Sequence, residues 1–213
     1  QNQILISRGL DKKKINVIPL FSSFPISNKY IKIEAKPPYN ICFVGRLEVK
    51  KGIYNLLDFV LNSDIVKNLD IVGNGNEMEN IKKIISNNKL LQKKIRLHGE
   101  IFDNDLLKVL DGCDIFINPS EYLETFGLVN IEALSRGKIV LSSSYGALKE
   151  IISDGVDGFL FDPKCNNSLS ESFERIVNHP SLNGVQSKAI DKAKSYSIEK
   201  HIDKILLTYK SIL

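Results

Sequence analysis

Short apolar runs recur along this chain, each closed by a turn residue and followed by a stretch with helical spacing, and this alternation limits the fold more than any other feature. The runs read as strands at residues 14–20 (KINVIPL), 40–44 (NICFV), 68–72, 94–97, 114–118, 138–142 and 158–161. Between them, residues 51–62 place Ile53, Leu56, Leu57, Val60 and Leu61 at the i, i+3, i+4, i+7, i+8 spacing of one helical face. Further helices are expected at 77–88, with a stripe of Ile81, Ile84 and Ile85, and at 103–110, capped by Asp103. Others are expected at 128–136, stopped by Gly137, and at 147–153. Residues 21–38 show no period and read as a connector, and the chain is helical from residue 167 with breaks near Pro180 and Ser197. Strands that are apolar on both faces and alternate with helices imply a parallel sheet covered on both sides. The expected fold is α/β: a doubly wound, Rossmann-like parallel sheet with a helical C-terminal tail. Ligands of such folds bind outside the carboxyl ends of the strands, so the strand-to-helix loops should carry the chemistry.

The balance of residues removes several classes of function. The chain has 213 residues, 43% of them hydrophobic, and a net charge of +4. That charge is too mild for a nucleic-acid binder, and no nucleic-acid partner is expected. The cysteines Cys42, Cys113 and Cys165 are odd in number and far apart, so buried reduced thiols are expected rather than a disulfide or a metal site. No run reaches the ~18 apolar residues that span a bilayer, and no secretory leader is visible, so a cytoplasmic location is expected. The charge is also compatible with peripheral contact at the inner face of a membrane. The first residue is Gln1 rather than Met, so a fragment or a chain with a lost beginning is expected.

Five loops follow the expected strands. In GRLEVKKG (residues 45–52), Gly45 permits a tight turn, while Arg46 and Lys51 flank a helix entrance that already favours anions. Arg46 brings a planar fork of donors and Lys51 a compact charge, both suited to phosphate oxygens. Two solvated surface cations would look the same locally. VGNGNE (72–77) offers Gly73 for close approach of a ligand, and LHGEI (97–101) offers Gly99 and Ile101 beside free backbone groups. Either could equally be a turn required by folding. His98 reads as a packed or solvent-facing histidine.

NPSEYLETFGLVNIEALSRGK (118–138) is the most informative loop. Phe126, Gly127 and Leu128 present free backbone N–H groups at a helix entrance, with Glu124 just before it and Glu132 about one turn inside. Ionised carboxylates are acceptors only, so Glu124 and Glu132 complement sugar and ribose hydroxyls. Glu132 could instead serve only the helix dipole, and Glu124 could be a solvated loop acid. The fifth loop, SSYGALKEI (143–151), reads locally as a plain turn.

In this order, the GRL…KG loop, the VGxG and HG turns, the E-x-F-G-L-x-x-x-E-A…GK segment and YGALKEII…DGVDGFLF resemble the C-terminal nucleotide-binding domain of the group 1 retaining glycosyltransferases of the GT-B fold. The resemblance runs from about residue 14 to 161, and the helical tail fits it. It implies that Arg46 and Lys51 hold the donor diphosphate and stabilise the departing nucleotide. It places Glu132 on the ribose, Glu124 on the donor sugar near its 3- and 4-hydroxyls, and the backbone of Phe126, Gly127 and Leu128 on sugar and phosphates. Gly99 and Ile101 would border the base, with Gly45 and Gly73 completing the donor site. It implies catalytic parts for Arg46, Lys51 and Glu124, a nucleotide-diphosphate sugar such as a UDP-sugar as substrate, and no cofactor or metal, because cations and a helix dipole supply the electrostatics. The acceptor would be a glycan or lipid-linked molecule, and the family's commonest setting is bacterial surface polysaccharide.

Two departures accompany the resemblance. FSSFPI (21–26) stands where a Gly-Val-Asp run is usual, and Tyr145-Gly146 stands in place of Gly-Gly. The expected organisation is a remnant or linker at 1–13, a donor-binding domain at 14–195 and a C-terminal helix at 196–213. The acceptor-binding N-terminal domain would be missing, leaving a chain that holds the donor but transfers sugar poorly or not at all. Competing readings are a non-catalytic nucleotide-sugar-binding module, or a nucleotide-sugar epimerase or sugar phosphorylase on the same fold. No pyridoxal-phosphate lysine context supports the phosphorylase. A receiver-like domain would gather acids where Gly45, Arg46 and Gly73 stand.

Overall fold

The computed structural model describes residues 2–27, 32–33, 36–165 and 167–211. Six parallel strands form one sheet in the order β3-β2-β1-β4-β5-β6: β1 Tyr39–Val44, β2 Val66–Val72, β3 Ile95–Gly99, β4 Ile115–Asn118, β5 Ile139–Ser143 and β6 Phe159–Phe161. The order reverses between β1 and β4, which pair through Ile41 with Ile115 and Cys42 with Phe116. A crevice at the carboxyl edge of the sheet belongs at that reversal.

Every residue of β4 and β5 is buried, as a sheet covered on both faces requires. One face carries Ile41, Phe43, Leu69, Ile71, Ile117 and Leu141. Against it lie α2 (Ile53–Leu61), α3 (Met78–Ser86), α4 (Lys89–Lys94) and α8 (Ser168–Val177), which bury Ile53, Leu56, Ile81, Leu91 and Phe173. The other face carries Cys42, Val72, Phe116 and Val140. It is covered by α5 (Asp103–Gly112), α6 (Leu128–Ser135), α7 (Leu148–Ile151) and α9 (Leu182–Lys194). The chain also has α1 (Asn2–Ser7) near its start and ends in α10 (Ile198–Lys210).

Several local expectations change. KINVIPL is not a strand: a 3₁₀ turn covers Lys12–Lys14 and non-repetitive backbone follows to residue 27. Val17 and Leu20 are exposed, Pro19 lacks an N–H, and no neighbouring strand supplies a ladder. The connector is held instead by single bonds, Ser22 N–H to the Tyr196 carbonyl (3.0 Å) and Ser27 N–H to the Ser135 carbonyl (2.8 Å). Part of the connector expected at 21–38 lies outside the described residues. Lys51 ends a 3₁₀ turn, Val49–Lys51, and α2 begins only after Gly52. Asp103 does not cap α5; it is the first helical residue, behind Phe102, and its carboxylate complements the helix dipole. Ile84 faces solvent rather than the core. Lys94 closes α4 rather than opening β3, and α4 itself was not expected. Asn88 caps it, accepting from the N–H groups of Leu90 and Leu91.

Cys42 and Cys113 are buried free thiols with sulfurs 2.8 Å apart, whereas Cys165 is exposed, contrary to expectation. Burial, then the contact with Cys113, pushes the Cys42 thiol well above its ordinary range. Lys138, also buried, donates to the carbonyls of Asp111 and Cys113 (both 2.9 Å) and so satisfies the end of α5. No helix among the described residues is long and apolar enough to cross a membrane.

Candidate functional site

The β1–α2 and β4–α6 loops leave the sheet on either side of the strand-order reversal and are joined along their length. Gly52 adopts φ 70°, and a Cβ there would stand 1.9 Å from the Pro119 carbonyl oxygen, so only glycine lets the loops approach this closely. The Glu121 N–H donates to the Lys50 carbonyl (2.9 Å), and Asn55 holds the Glu121 carboxylate (2.8 Å). The Lys50 ammonium lies 5.2 Å from the centre of the Tyr122 ring. At the centre of this seam the Lys51 ammonium donates to Glu124. Their side chains are 23% and 15% exposed, so the pair is screened less than a surface ion pair yet is not sealed from solvent.

Glu124 is fixed from a third loop. The Ala147 N–H donates to the Glu124 carbonyl (2.9 Å). Gly146, at φ 62°, brings its backbone so close that a Cβ would meet the Glu124 carbonyl oxygen at 2.4 Å. The SSYGALKEI segment is therefore more than a plain turn, because it seats the backbone of Glu124.

Arg46 projects from the loop surface. Its side chain is 79% exposed, and its neighbour is Glu48, 3.5 Å from Nη1. Gly45 starts the loop, with its N–H donating to the Val72 carbonyl. The close approach made by Gly73 is to protein rather than open crevice, since a Cβ there would lie 1.9 Å from the Gly45 oxygen. Gly99 closes the edge strand β3, two strands from β1, with Ile101 just beyond it, and the Gly99 carbonyl accepts from Gly73 N–H (2.7 Å). His98 is not idle: its Nε2 lies 2.6 Å from Asp70 on β2.

The entrance of α6 is held by groups that sequence reasoning passed over. Asn118, at the end of β4, donates to the Asn130 side-chain oxygen (2.9 Å). Asn130 in turn donates to Ser142 Oγ on β5 (2.9 Å). Asn118, Asn130 and Ser142 are buried, so this chain of bonds fixes the helix against both strands. Their signal in the sequence was polar residues at positions that periodicity assigns to the core. Gly127 caps α6 at φ 91°. Phe126 packs its ring edge-on to Tyr196, with centroids 5.9 Å apart. Leu128 opens the helix and Glu132 lies in its next turn. Glu132 is half-buried, and that burial pushes its carboxyl above the ordinary range.

Of the expected site residues, the structure joins Lys51 to Glu124; Arg46 lies in the same loop as Lys51, and Glu132 lies on the helix that follows Glu124. Such a set suits a ligand with anionic oxygens at one end and hydroxyls elsewhere. A separate cavity of about 330 Å³ lies between the connector, α6 and the end of α9, lined by Phe24, Ile131, Ser135 and Tyr196 among others. Among the described residues no three His, Cys, Asp or Glu side chains cluster as metal ligands do.

Known proteins are similar to this chain in sequence and in fold. An uncharacterised glycosyltransferase of Methanocaldococcus jannaschii is 26% identical over 98% of this chain and 51% of its own length. The sulfoquinovosyl transferase of Arabidopsis thaliana is 30% identical over 76% of this chain and 31% of its own. Among solved structures, the lipopolysaccharide outer core galactosyltransferase WaaB superposes over 100% of this chain and 60% of its own (TM-score 0.80, 18% identity). Anabaena HepE in complex with UDP and glucose superposes over 99% and 60% (TM-score 0.77, 22% identity). At these identities the structures establish the fold, which is that of the glycosyltransferases' Rossmann-like half. The chain spans about half the length of the first curated relatives it matches (51%, 47% and 49%). Residues 27–196 match the family described as Glycosyl transferases group 1, and the chain belongs to that family.

Proposed function

We propose that this chain is the donor-binding half of a retaining glycosyltransferase that moves a sugar from a nucleoside diphosphate sugar to a glycan or lipid-linked acceptor. The observation that carries the reading is the Lys51–Glu124 pair joining the two loops at the strand-order reversal, with Arg46 in the same loop as Lys51. Relatives named glycosyltransferases and structures solved with UDP support it. In this structure Glu124 neutralises Lys51. A bound diphosphate takes over the ammonium, and Glu124 is released to accept from sugar hydroxyls.

The bond between the anomeric carbon and the phosphate oxygen then breaks. Arg46, Lys51 and the N–H groups opening α6 stabilise the charge left on the nucleotide. The acceptor oxygen forms its bond to the anomeric carbon on the same face and passes its proton to a departing phosphate oxygen, which retains configuration. Glu132 accepts from the ribose, while Gly99 and Ile101 border the base. The reaction needs no metal in this scheme.

Calorimetry with UDP, GDP and ADP and the corresponding nucleosides tests the site. Arg46→Ala should weaken the diphosphates about 10- to 100-fold, the worth of one charge-assisted hydrogen bond, and leave the nucleosides nearly unchanged. Equal losses for both would remove Arg46 from the diphosphate, and binding of no nucleotide would remove the donor site.

A further inference from the structure

Glu48 has no structural task that explains its position. It occupies the N-cap of the Val49–Lys51 turn, where an acid ordinarily bonds the turn's free N–H groups, yet its side chain makes no such bond. Instead the carboxylate spans the mouth of the loop. One oxygen lies 2.9 Å from the Lys50 ammonium and the other 3.5 Å from Arg46. The Lys50 hydrogen bond, chiefly, holds the Glu48 carboxyl below its ordinary range, so it stays anionic wherever a diphosphate is. With Lys51 on Glu124, all three cations of the loop face a carboxylate.

We propose that Glu48 is a built-in competitor of the donor diphosphate, a carboxylate that occupies Arg46 and Lys50 until the ligand's oxygens displace it. This rests on the reading of the loop as a diphosphate site. Glu48 then sets how tightly the departing nucleoside diphosphate is held. The diphosphate offers more anionic oxygens than one carboxylate and wins the exchange, but part of its binding is used to break the Glu48 contacts. A weaker hold on the nucleotide product follows, which favours its release after transfer.

The test is titration of the chain with UDP, GDP and ADP, with Glu48→Gln as the variant, which keeps the side-chain volume and removes the charge. The preferred diphosphate should bind up to about fivefold more tightly, the range of exposed ion pairs, and its nucleoside should bind unchanged. The gain should vanish in an Arg46→Ala/Lys50→Ala background. Glu79→Gln removes a more exposed acid, paired with Lys82 outside the loop, and should leave affinity unchanged. Weaker or equal binding by Glu48→Gln overturns the proposal, as does a gain that persists without Arg46 and Lys50 or is matched by Glu79→Gln. If the unaltered chain binds no nucleotide, the donor-site reading fails and takes the proposal with it. If it binds and Arg46→Ala weakens it while Glu48→Gln changes nothing, the competitor role alone fails.

Discussion

Glu132 shows how one residue's environment couples folding to binding. Burial disfavours its ionised form and raises its pKa, while a role on ribose hydroxyls needs that ionised form as acceptor. In the window between its unfolded and raised folded values, the native state holds the proton that the unfolded state has released. Stability therefore falls as pH rises through that window. Ligand hydroxyls oppose this by bonding the ionised carboxylate. Nucleotide affinity should accordingly decline as pH falls from neutral through the raised value, and Glu132→Gln should bind more weakly than the parent at neutral pH with that limb flattened. Binding isotherms across pH for both proteins check this, and an unchanged acid limb in Glu132→Gln would assign the dependence to another group.

Among the elements, the parallel strands were legible because burial on both faces leaves an unbroken apolar run, and β1, β2, β4 and β5 fall within a residue or two of expectation. KINVIPL carried the same local signal, but a strand needs a neighbour, and pairing is not written in a single run. The short α4 escaped because KLLQKK buries one residue, Leu91, and shows no period. In the site, Lys51 and Glu124 were each visible in their own loops, whereas their contact across 73 positions was not. What joins those loops is Gly52, and this can be weighed against Gly112. Gly52→Ala forces a side chain into φ 70° and onto the Pro119 carbonyl, and should cost about 2–4 kcal/mol with loss of nucleotide binding. Gly112 closes α5 with open space where a Cβ would stand, and Gly112→Ala should be neutral or stabilise by up to about 1 kcal/mol. Denaturant unfolding of the two variants checks the contrast. Similar effects would mean that the seam between the loops tolerates separation.

At the scale of the molecule, the Arg46, Lys51 and Glu124 loops and the α6 entrance leave one edge of one sheet. In the proposed reading they clasp a donor from a single side. Transfer asks for more: an acceptor oxygen held against the anomeric carbon, and water kept from that carbon while the phosphate departs. A chain spanning about half the length of its relatives is thus expected to separate binding from chemistry. Incubated with a labelled donor, the 213 residues should hold the nucleotide-sugar, with Arg46→Ala lowering its occupancy, yet move no measurable sugar to glycan or lipid-linked acceptors. Robust transfer by these residues alone would show that one sheet edge suffices to assemble both substrates. The Lys51–Glu124 pair would then belong to a complete active site rather than to half of one.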